Sequence, residues 1–522
     1  MFKMGLCDQG YLDLARIIDD LGQRYHDKVF VRSLEDHREI TFGQFSEESN
    51  RLGRFFEDRG LAAGDRVVLI SPNCIEWLLV FFGVLKYGAT IAPVYEGYSE
   101  ESIGQLVARI KPRFIFWHQE LADRLPVPGA GPGEWVSFGR WDVPDVKGKD
   151  LFALTGDFSG RPLERGAPES RPDGAIINTT SGTMQAPRCV FRNFQCFSYH
   201  ARTSIRRWEV TDRDILLEYR SFAWISASAM TLSSALYTGA TVVIARKFSS
   251  SQFFPWLKQY RVTIAVGVPA VLNMLLEKQV DVKKGDFPAL RFMTSSSAPL
   301  YLSKQEEFES SYGIPIVQFM GMTEAGLIAC SGPGDRKIGS PGRPADYADV
   351  TIVDEEGKVL GPGREGEIVC AGKHVGQYYL LENGEPEVFA PGGSLRTGDI
   401  GYLDEEGFLF VTGRKKNVII RGGVNISPLQ VDRVLLEHPD VAEAATVGIP
   451  DTIFGEEVVA LVALKVGAAS GKQELLEHCR AKLSKEMVPK NILIVDEIPK
   501  SDRGKVAKQQ LLDLYFAQGN NK

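Results

Sequence analysis

The chain has 522 residues, which is too many for one ordinary hydrophobic core, so we expect at least two domains. Its composition, with 44% hydrophobic and 24% charged residues, is typical of a globular protein. The net charge is -7 and no strongly basic cluster occurs, so a nucleic-acid partner is not expected.

The cysteines and the apolar segments indicate the compartment. The seven cysteines are scattered and form no Cys-x-x-Cys pair, which argues against a disulfide framework or a zinc site and favours a reducing compartment. The N-terminus reaches Asp8 before an apolar segment develops, so it does not resemble a signal peptide. The longest apolar run, residues 77–85, is far shorter than the ~20 residues that span a bilayer. We therefore expect a cytoplasmic protein with no membrane segment.

The first part of the chain alternates between predicted helices and strands. Apolar residues recur at helical spacing in residues 12–25, and Thr41 is placed to cap the next helix. The elements that follow are strands at 67–70, 89–94, 174–178, 215–217, 240–245 and 263–268 and helices at 75–86, 228–237 and 271–277. This alternation predicts βαβ units, a mainly parallel sheet and an α/β fold.

The second part of the chain has shorter and more turn-rich signals. Strands at 350–353 and 366–370 and a hairpin at 401–413 predict a small β-subdomain. Patterns at 428–438, 459–466 and 472–483 predict a compact α+β domain of about 100 residues. We place the boundary so that the domains are 1–415 and 416–522. Residues 126–133 and 159–172 are rich in proline and glycine and predict exposed loops.

Several short motifs carry the chemistry. Taken singly, each motif is weak evidence for a function. The Ser/Thr-rich stretch at residues 180–183 is also explained as an ordinary turn, Thr323 as the cap of a helix, and Asp399 as a turn residue. A Gly-Lys pair near a C-terminus is usually a solvated turn. In chain order the motifs are Thr180-Ser181-Gly182-Thr183, Gly321-Met322-Thr323-Glu324, Arg396-Thr397-Gly398-Asp399, Gly413-Arg414-Lys415-Lys416 and Gly504-Lys505.

In this order and spacing the motifs resemble the adenylate-forming superfamily, which contains acyl-CoA synthetases, peptide-synthetase adenylation domains and firefly luciferase. The resemblance runs from about residue 40 to about residue 508. It implies a large N-terminal domain that binds the adenylate and the acyl group, and a small mobile C-terminal domain. It also implies two half-reactions, formation of an acyl-adenylate from ATP and transfer of the acyl group to CoA.

The phosphate-binding loop departs from the family pattern, T-S-G-T-T-G-x-P-K-G. The family's glycines let backbone N–H groups approach the β- and γ-phosphates of ATP, and its lysine neutralises charge. Thr180, Ser181, Gly182 and Thr183 match, whereas Met184, Gln185, Arg188 and Cys189 do not. Gln185 is the most serious change, because a side chain stands where glycine allows close approach and a positive φ.

These changes imply weak adenylation. One missing hydrogen bond to a charged group costs roughly 1.5–3 kcal/mol, so two or three losses slow the step by orders of magnitude. We expect an enzyme whose substrates are CoA and an acyl-AMP supplied by a separate adenylating enzyme, with ATP and Mg²⁺ used if adenylation is retained. Two alternatives stay open: a complete two-step ligase that tolerates Gln185, and an inactive adenylate-binding protein.

The resemblance assigns roles around the adenylate. It implies that Thr323 donates to the α-phosphate and that Glu324 helps to hold Mg²⁺. Asp399 is expected to accept from the ribose hydroxyls, and Arg414 to contact ribose and phosphate. The backbone around the adenine is expected to come from Ser296, Ser297, Ala298 and Gly321, with Met320 at the position of the family's stacking aromatic ring.

The resemblance also assigns roles to the C-terminal domain. Lys416 occupies the hinge about which this domain is expected to swing. Gly422 and Gly423 are expected to leave room for the pantetheine arm of CoA on a strand. Lys505 is expected to bridge the substrate carboxylate and the α-phosphate during adenylation.

The acyl pocket is partly visible in the sequence. Trp224 stands where the family usually has a histidine, although it is also explained as ordinary core. Residues 222–228 contain no acidic side chain of the kind that amino-acid-activating relatives use for the α-amine. We expect an apolar pocket for an acid without an amine, lined by Trp224, Ile225, Gly267, Val268, Phe319 and Ala325. The altered phosphate loop also resembles that of thioester-forming ligases of platensimycin/platencin-type diterpenoid biosynthesis, which implies a bulky terpenoid acid.

Overall fold

The computed structural model describes residues 11–125, 132–142, 150–163, 174–180, 187–278, 280–500 and 506–519. Most of the predicted loops at 126–133 and 159–172 lies outside the described residues. The same holds for residues 181–186 of the phosphate loop and for Lys505.

The helices agree with the predicted positions over most of the chain. Thr41 and Gln44 form a reciprocal capping box at the start of the second helix, which confirms the predicted cap. In chain order the described helices are α1 (Leu14–Arg24), α2 (Phe42–Asp58), α3 (Ile75–Tyr87), α4 (Glu100–Ile110), α5 (Leu151–Thr155), α6 (Phe194–Arg207), α7 (Ser233–Thr238), α8 (Phe253–Gln259), α9 (Pro269–Lys278), α10 (Leu302–Tyr312), α11 (Pro428–Leu436), α12 (Lys472–Lys482) and α13 (Lys508–Gly519).

The strands form four sheets. In chain order the described strands are β1 (Val29–Ser33), β2 (Glu39–Thr41), β3 (Arg66–Ile70), β4 (Thr90–Val94), β5 (Phe114–His118), β6 (Glu134–Phe138), β7 (Ala175–Thr179), β8 (Cys189–Asn193), β9 (Ile215–Glu218), β10 (Thr241–Ile244), β11 (Ile264–Ala265), β12 (Phe292–Ser295), β13 (Ile316–Met322), β14 (Gly326–Cys330), β15 (Arg343–Pro344), β16 (Asp349–Val353), β17 (Gly366–Ala371), β18 (Tyr378–Leu380), β19 (Pro386–Glu387), β20 (Ser394–Leu403), β21 (Leu409–Arg414), β22 (Ile419–Arg421), β23 (Val424–Ile426), β24 (Val441–Asp451), β25 (Gly455–Leu464) and β26 (Asn491–Val495).

Two large sheets make up most of the N-terminal domain. Nine of the described strands form sheet I, in the order β15-β14-β13-β12-β11-β9-β10-β1-β2. Eight of the described strands form sheet II, in the order β19-β18-β8-β7-β4-β3-β5-β6. The central pairs are parallel, with Val67 beside Ile91 in sheet II and Leu216 beside Val242 in sheet I. The predicted α/β fold with mainly parallel sheets is therefore confirmed.

Helix α3 shows why the longest apolar run belongs to the core. Its side chains are buried all round except at Tyr87, as expected for a helix enclosed on every side. Trp77 stacks on Phe81, with ring centroids 4.6 Å apart, and meets Phe222 edge-on at 5.4 Å. Among the described residues, no helix combines the length and the apolar character that a membrane crossing needs.

The smaller sheets complete the two-domain architecture. Strands β16-β17-β20-β21 form sheet III, the predicted β-subdomain. Sheet IV has the order β23-β22-β25-β24, with β26 beside β25, and α11 and α12 pack with it in a separate hydrophobic cluster. A large N-terminal and a small C-terminal domain are thus present. The exact boundary at residue 416 stays a prediction.

The predicted helix at 228–237 differs from the structure. Residues Ser226–Leu232 form a π-helix, and regular α-helical bonding begins only at α7. The N–H of Ser233 reaches back to the carbonyl of Ser228, and the Ser204 hydroxyl on α6 donates to the Met230 carbonyl at 3.3 Å. Side-chain hydrogen bonds from a neighbouring helix thus stabilise the wider turn.

Candidate active site

A cavity of about 690 Å³ is lined by residues from sheets I, II and III. Much of its wall follows the carboxyl ends of parallel strands β7, β9 and β12, where ligands commonly bind in such folds. The structure brings to this wall the predicted residues Thr180, Arg188, Trp224, Ile225, Ser296, Ser297, Phe319, Gly321, Thr323, Glu324, Arg414 and Lys416.

The two ends of the phosphate loop are tied together. The Thr180 N–H donates to the Arg188 carbonyl at 2.8 Å, and the Arg188 N–H donates to the Thr180 hydroxyl at 3.2 Å. These bonds extend the antiparallel pairing of β7 with β8 into the loop. The predicted Ser181, Gly182, Thr183 and Gln185 lie between these ends, outside the described residues.

Tyr379 connects the loop to the predicted metal ligand. The Arg188 guanidinium lies 5.1 Å from the centroid of the Tyr379 ring, and the Tyr379 hydroxyl donates to Glu324 Oε1 at 2.7 Å. Burial and the Glu324 charge raise the pKa of Tyr379, so this phenol stays a neutral donor. The sequence analysis missed Tyr379, because nothing near Tyr378–Leu380 in the chain signals a site.

Thr323 and Glu324 lie in the turn of the β13–β14 hairpin, so their segment does not start a helix. The Arg192 guanidinium donates a hydrogen bond to the Thr323 carbonyl in this turn. Gly326 has a φ of +65°, and a Cβ there would lie 2.0 Å from the His200 ring. Only glycine fits at this position, so the hairpin can close against His200.

The predicted adenine-binding segment follows β12. Ser297 has a φ of +73°, a left-handed conformation that favours glycine. The Ser296 hydroxyl accepts a hydrogen bond from Arg220 at 3.4 Å, and Ala298 follows in the same bend. Phe319 lines the cavity, whereas the Met320 side chain packs against the core of sheet III.

Asp399 and Arg414 are cross-strand partners on β20 and β21. Arg414 Nε donates to Asp399 Oδ1 at 2.7 Å, and the Asp399 N–H donates to the Thr397 hydroxyl at 3.1 Å. A carboxylate fixed beside a guanidinium in this way suits a ligand that carries both ribose hydroxyls and a phosphate.

Lys416 lies in the short turn Lys415–Asn417, which leads from sheet III to sheet IV. Its side chain is at the cavity wall. Burial and the neighbouring Arg414 charge lower the pKa of Lys416, although Asp399 and Glu324 oppose this shift. The predicted hinge therefore lies next to the predicted adenylate contacts.

Only some of the residues predicted to line the acyl pocket lie at the cavity. Trp224, Ile225 and Phe319 line the cavity. Val268 packs with the core around α8 to α10, and Ala325 is fully buried in the core of sheet III. Gly267 follows β11 and is buried outside the cavity lining, and its N–H donates to the Thr294 hydroxyl at 3.3 Å.

The glycines predicted to meet CoA form a turn. Gly422 and Gly423 connect β22 to β23 and have φ angles of +59° and +85°. They are exposed in the C-terminal domain, and only Phe454 would approach a Cβ at Gly422, at 3.3 Å. They lie in a hairpin turn, whereas the sequence analysis placed them on a strand.

Comparison with known proteins decides the family. Residues 18–380 match the family described as AMP-binding enzyme, and residues 430–505 match its C-terminal domain. The chain belongs to this family. Because the first match covers more than half of the chain, the predicted resemblance to adenylate-forming enzymes is confirmed at the level of the family.

Relatives and solved structures of this family align along nearly the whole chain. A sulfoacetate–CoA ligase from Cupriavidus necator is 31% identical, with 96% of this chain and 97% of the relative covered. An oxalate–CoA ligase from Arabidopsis thaliana is 29% identical, with 95% and 97% covered. ATP-bound MatB from Rhodopseudomonas palustris shares the fold, with a TM-score of 0.85, 23% identity, and 96% and 99% of the chains covered. The two CoA ligases support acyl-CoA ligase activity for this AMP-binding enzyme, and MatB supports its fold.

The side chains at the cavity are compatible with Mg²⁺, the metal that the family uses. The described residues contain no group of three His, Cys, Asp or Glu side chains that would hold a metal ion without a ligand. Mg²⁺ commonly binds through one or two carboxylates together with substrate phosphates. Glu324 at the cavity wall fits that arrangement, because Tyr379 holds only one of its oxygens.

The cavity also contains polar residues that the sequence analysis missed. Asn178, His200 and Ser226 line it beside Met230, so the wall near Trp224 is mixed in character. Their positions in the chain carry no motif. Only the pairing of β7 with β8 and the packing of α6 bring them to the site.

Proposed function

We propose that this protein forms an acyl-CoA thioester from an acyl-adenylate and CoA, and that its ATP-dependent adenylation step is weak or absent. One observation carries the proposal. The cavity wall combines Thr323, Glu324 and Arg414, and Arg414 is bonded to Asp399 behind it; these are the residues expected to hold an adenylate. The loop expected to hold the β- and γ-phosphates instead carries Gln185 in place of a glycine.

The chemistry of the thioester step explains how the adenylate site can work without the loop that binds the β- and γ-phosphates. The CoA sulfur attacks the acyl carbonyl carbon, the bond from that carbon to the AMP oxygen breaks, and the thiol proton goes to solvent. Thr323 donates to the phosphate that leaves, while Asp399 and Arg414 hold the nucleotide. No β- or γ-phosphate takes part, so a poor loop leaves this step intact. Mg²⁺, when bound at Glu324, would supply further charge neutralisation.

The setting of Arg188 supports weak adenylation. This residue takes the place of the lysine in the family's loop. Its guanidinium lies over the Tyr379 ring, and Tyr379 is itself bonded to Glu324. The arrangement holds the positive charge against the cavity wall by a cation–π contact.

A complete two-step ligase is the second candidate. It is favoured by the relatives, which carry the names of CoA ligases and align from end to end. The names of these two relatives refer to small polar acids, and those of others refer to indoleacetate and long-chain fatty acids, whereas the altered loop suggests a bulky terpenoid acid. We propose the bulky acid as the acyl group, since Trp224, Ile225 and Met230 add apolar surface to a cavity wall that is otherwise mixed in character.

A paired assay tests the proposal. One arm contains ATP, Mg²⁺, a panel of carboxylic acids and CoA, and the other contains the corresponding synthetic acyl-AMP and CoA. We expect acyl-CoA from the second arm at a rate at least tenfold above the first. Pyrophosphate exchange at ordinary ligase rates would instead establish the two-step enzyme. Failure of both arms, with adenylate binding retained, would indicate a binding protein.

We also propose that residues 416–522 move as a unit about Lys416. Support comes from the short turn at Lys415–Asn417, which lies between sheets III and IV beside the cavity. Replacing Lys416 with proline should slow whichever half-reaction needs the second domain pose, because proline fixes φ at this position.

A further inference from the structure

Asn178 is a buried polar side chain without a partner. It is 1% exposed, lies in β7 and lines the cavity. Neither its carboxamide nitrogen nor its oxygen has a hydrogen-bond partner among the described residues. Buried amides are nearly always hydrogen-bonded, so an unpaired one at a cavity wall indicates a partner that enters with the ligand.

The register of β7 and β8 identifies the surroundings of Asn178. Ile176 is paired with Arg192, and Asn178 is paired with Val190, so Asn178 and Arg192 share one face as diagonal neighbours. Arg192 is fully buried, and its guanidinium contacts His200 Nε2 and the Thr323 carbonyl. Burial lowers the pKa of Arg192, and Cys196 and the Glu324 charge oppose this shift, so the positive charge on this face is only partly compensated.

His200 separates Arg192 from the cavity. Arg192 lies 3.2 Å from His200 Nε2, and the Leu327 N–H donates toward Nδ1 at 3.3 Å. Burial and the Arg192 charge hold the pKa of His200 well below its usual range, so the ring is neutral. A neutral ring accepts at one nitrogen only, and that nitrogen faces a protein N–H, so His200 offers no free acceptor to a ligand. The Asn178 carboxamide is a polar group on the same face that has no partner among the described residues.

The position of His200 shows which part of the ligand reaches Asn178. One turn further along α6, the Ser204 hydroxyl donates to the Met230 carbonyl of the π-helix. Helix α6 thus packs against the wall that holds Met230 and Ile225, the predicted acyl end of the cavity. The face of Asn178 is directed toward this end, since Arg192 on that face contacts α6.

We propose that Asn178 determines specificity by binding an uncharged keto or hydroxyl oxygen on the acyl part of the substrate, away from the activated carboxyl group. The carboxamide N–H donates to that oxygen, and the positive field of Arg192 favours an acceptor over an amine. The inference rests on the proposed function only in taking the ligand to be an acyl-adenylate.

Binding of stable adenylate analogues tests the inference independently of turnover. The probes are 5'-O-(acylsulfamoyl)adenosines of cyclohexanecarboxylic acid, 3-oxocyclohexanecarboxylic acid and 4-oxocyclohexanecarboxylic acid, measured by calorimetry. We expect at least one keto analogue to bind about tenfold or more tightly than the plain analogue. With the matching acyl-AMP and CoA, the difference should appear in KM, because the contact is present before the reaction.

The substitution Asn178→Leu should abolish this preference. The variant should also unfold at a higher temperature than the wild type without ligand, because an unpaired buried amide is removed. Asn73→Leu is the matched control. Asn73 donates to the Arg220 and Ala245 carbonyls at 2.8 and 3.0 Å, so its loss should lower the unfolding temperature.

The outcomes separate the inference from the proposed function. A preference for a keto analogue that disappears in Asn178→Leu supports the inference, even if no acyl-CoA is formed. Equal binding of plain and keto analogues, or a preference that survives the substitution, would overturn it. Absence of binding by every analogue would overturn both the inference and the proposed function.

Discussion

The Tyr301 hydroxyl donates to Asp432 Oδ2 at 3.2 Å and thereby links the two domains. Tyr301 precedes α10 and packs into the core of the C-terminal domain, where Asp432 lies on α11. Burial raises the pKa of Asp432 from 3.8 to about 7, and its second oxygen has no partner among the described residues. A proton on that oxygen makes the carboxyl group neutral, which explains how it can be buried at this interface.

This pKa predicts how stability depends on pH. Because the folded protein holds the Asp432 proton more tightly than the unfolded chain, its contribution is present at low pH and is lost as pH rises from about 4 to about 7. Asp432→Asn imitates the protonated form. Its stability relative to the wild type should increase over this range by on the order of 4 kcal/mol and then level off. Urea unfolding at each pH measures the difference.

Two tyrosine variants test whether Asp432 causes this pH dependence. The Tyr301 hydrogen bond lowers the pKa of Asp432, so Tyr301→Phe should move the transition to higher pH. Tyr312→Phe is the matched control, since the Tyr312 hydroxyl donates to Leu275 within the N-terminal domain at 2.6 Å. A difference between Asp432→Asn and the wild type that stays constant with pH would contradict the interpretation.

Asp399→Asn should weaken binding of the adenylate. The substitution removes the charge that accepts from ribose and pairs with Arg414. We expect KM for the acyl-adenylate to rise roughly 10- to 100-fold with a smaller change in kcat, as for loss of a charge-assisted hydrogen bond. Steady-state kinetics with acyl-AMP and CoA measure it. Glu309→Gln, which weakens a similar pair with Arg336 at 2.6 Å outside the cavity lining, should leave KM unchanged.

The combination Gln185→Gly with Arg188→Lys should restore adenylation. Glycine admits the β- and γ-phosphates, and lysine is released from the stacking contact with Tyr379. The ratio of the ATP-driven rate to the acyl-AMP-driven rate should rise at least tenfold, with pyrophosphate exchange as the direct readout. Arg188→Lys alone is the control and should give a smaller gain. If the pair gives no gain, the loop is not where adenylation is limited.

Ser297→Gly should stabilise the protein. A non-glycine residue in the left-handed region costs about 1–2 kcal/mol, which the substitution relieves. The greater flexibility of glycine in the unfolded chain offsets part of this stabilisation. We expect a net increase of about 0.5–1 kcal/mol in the free energy of unfolding, measured with urea. Ser295→Gly in the extended strand β12 should lower it. Equal effects of the two substitutions would show that the φ of Ser297 is not strained.

Much of the fold follows from short stretches of sequence. The capping box at Thr41 was predictable because both partners lie within four residues, and the parallel sheets were predictable because apolar periodicity alternates between helix and strand. The π-helix at Ser226–Leu232 was not, since hydroxyl groups on another helix stabilise it. Gly422 and Gly423 were placed on a strand because a turn between two three-residue strands leaves little periodicity.

The sequence by itself determined the family, the order of its motifs and the departures in the phosphate loop, because these depend on residue type and spacing. Only the tertiary structure decided that Tyr379 holds Glu324, that Asn178 lies unpaired near Arg192, and that Tyr301 meets Asp432. Each of these relationships joins residues that are far apart in the chain through strand register or domain packing. Local propensity carries no information about such contacts, so they become visible only when the elements are packed together.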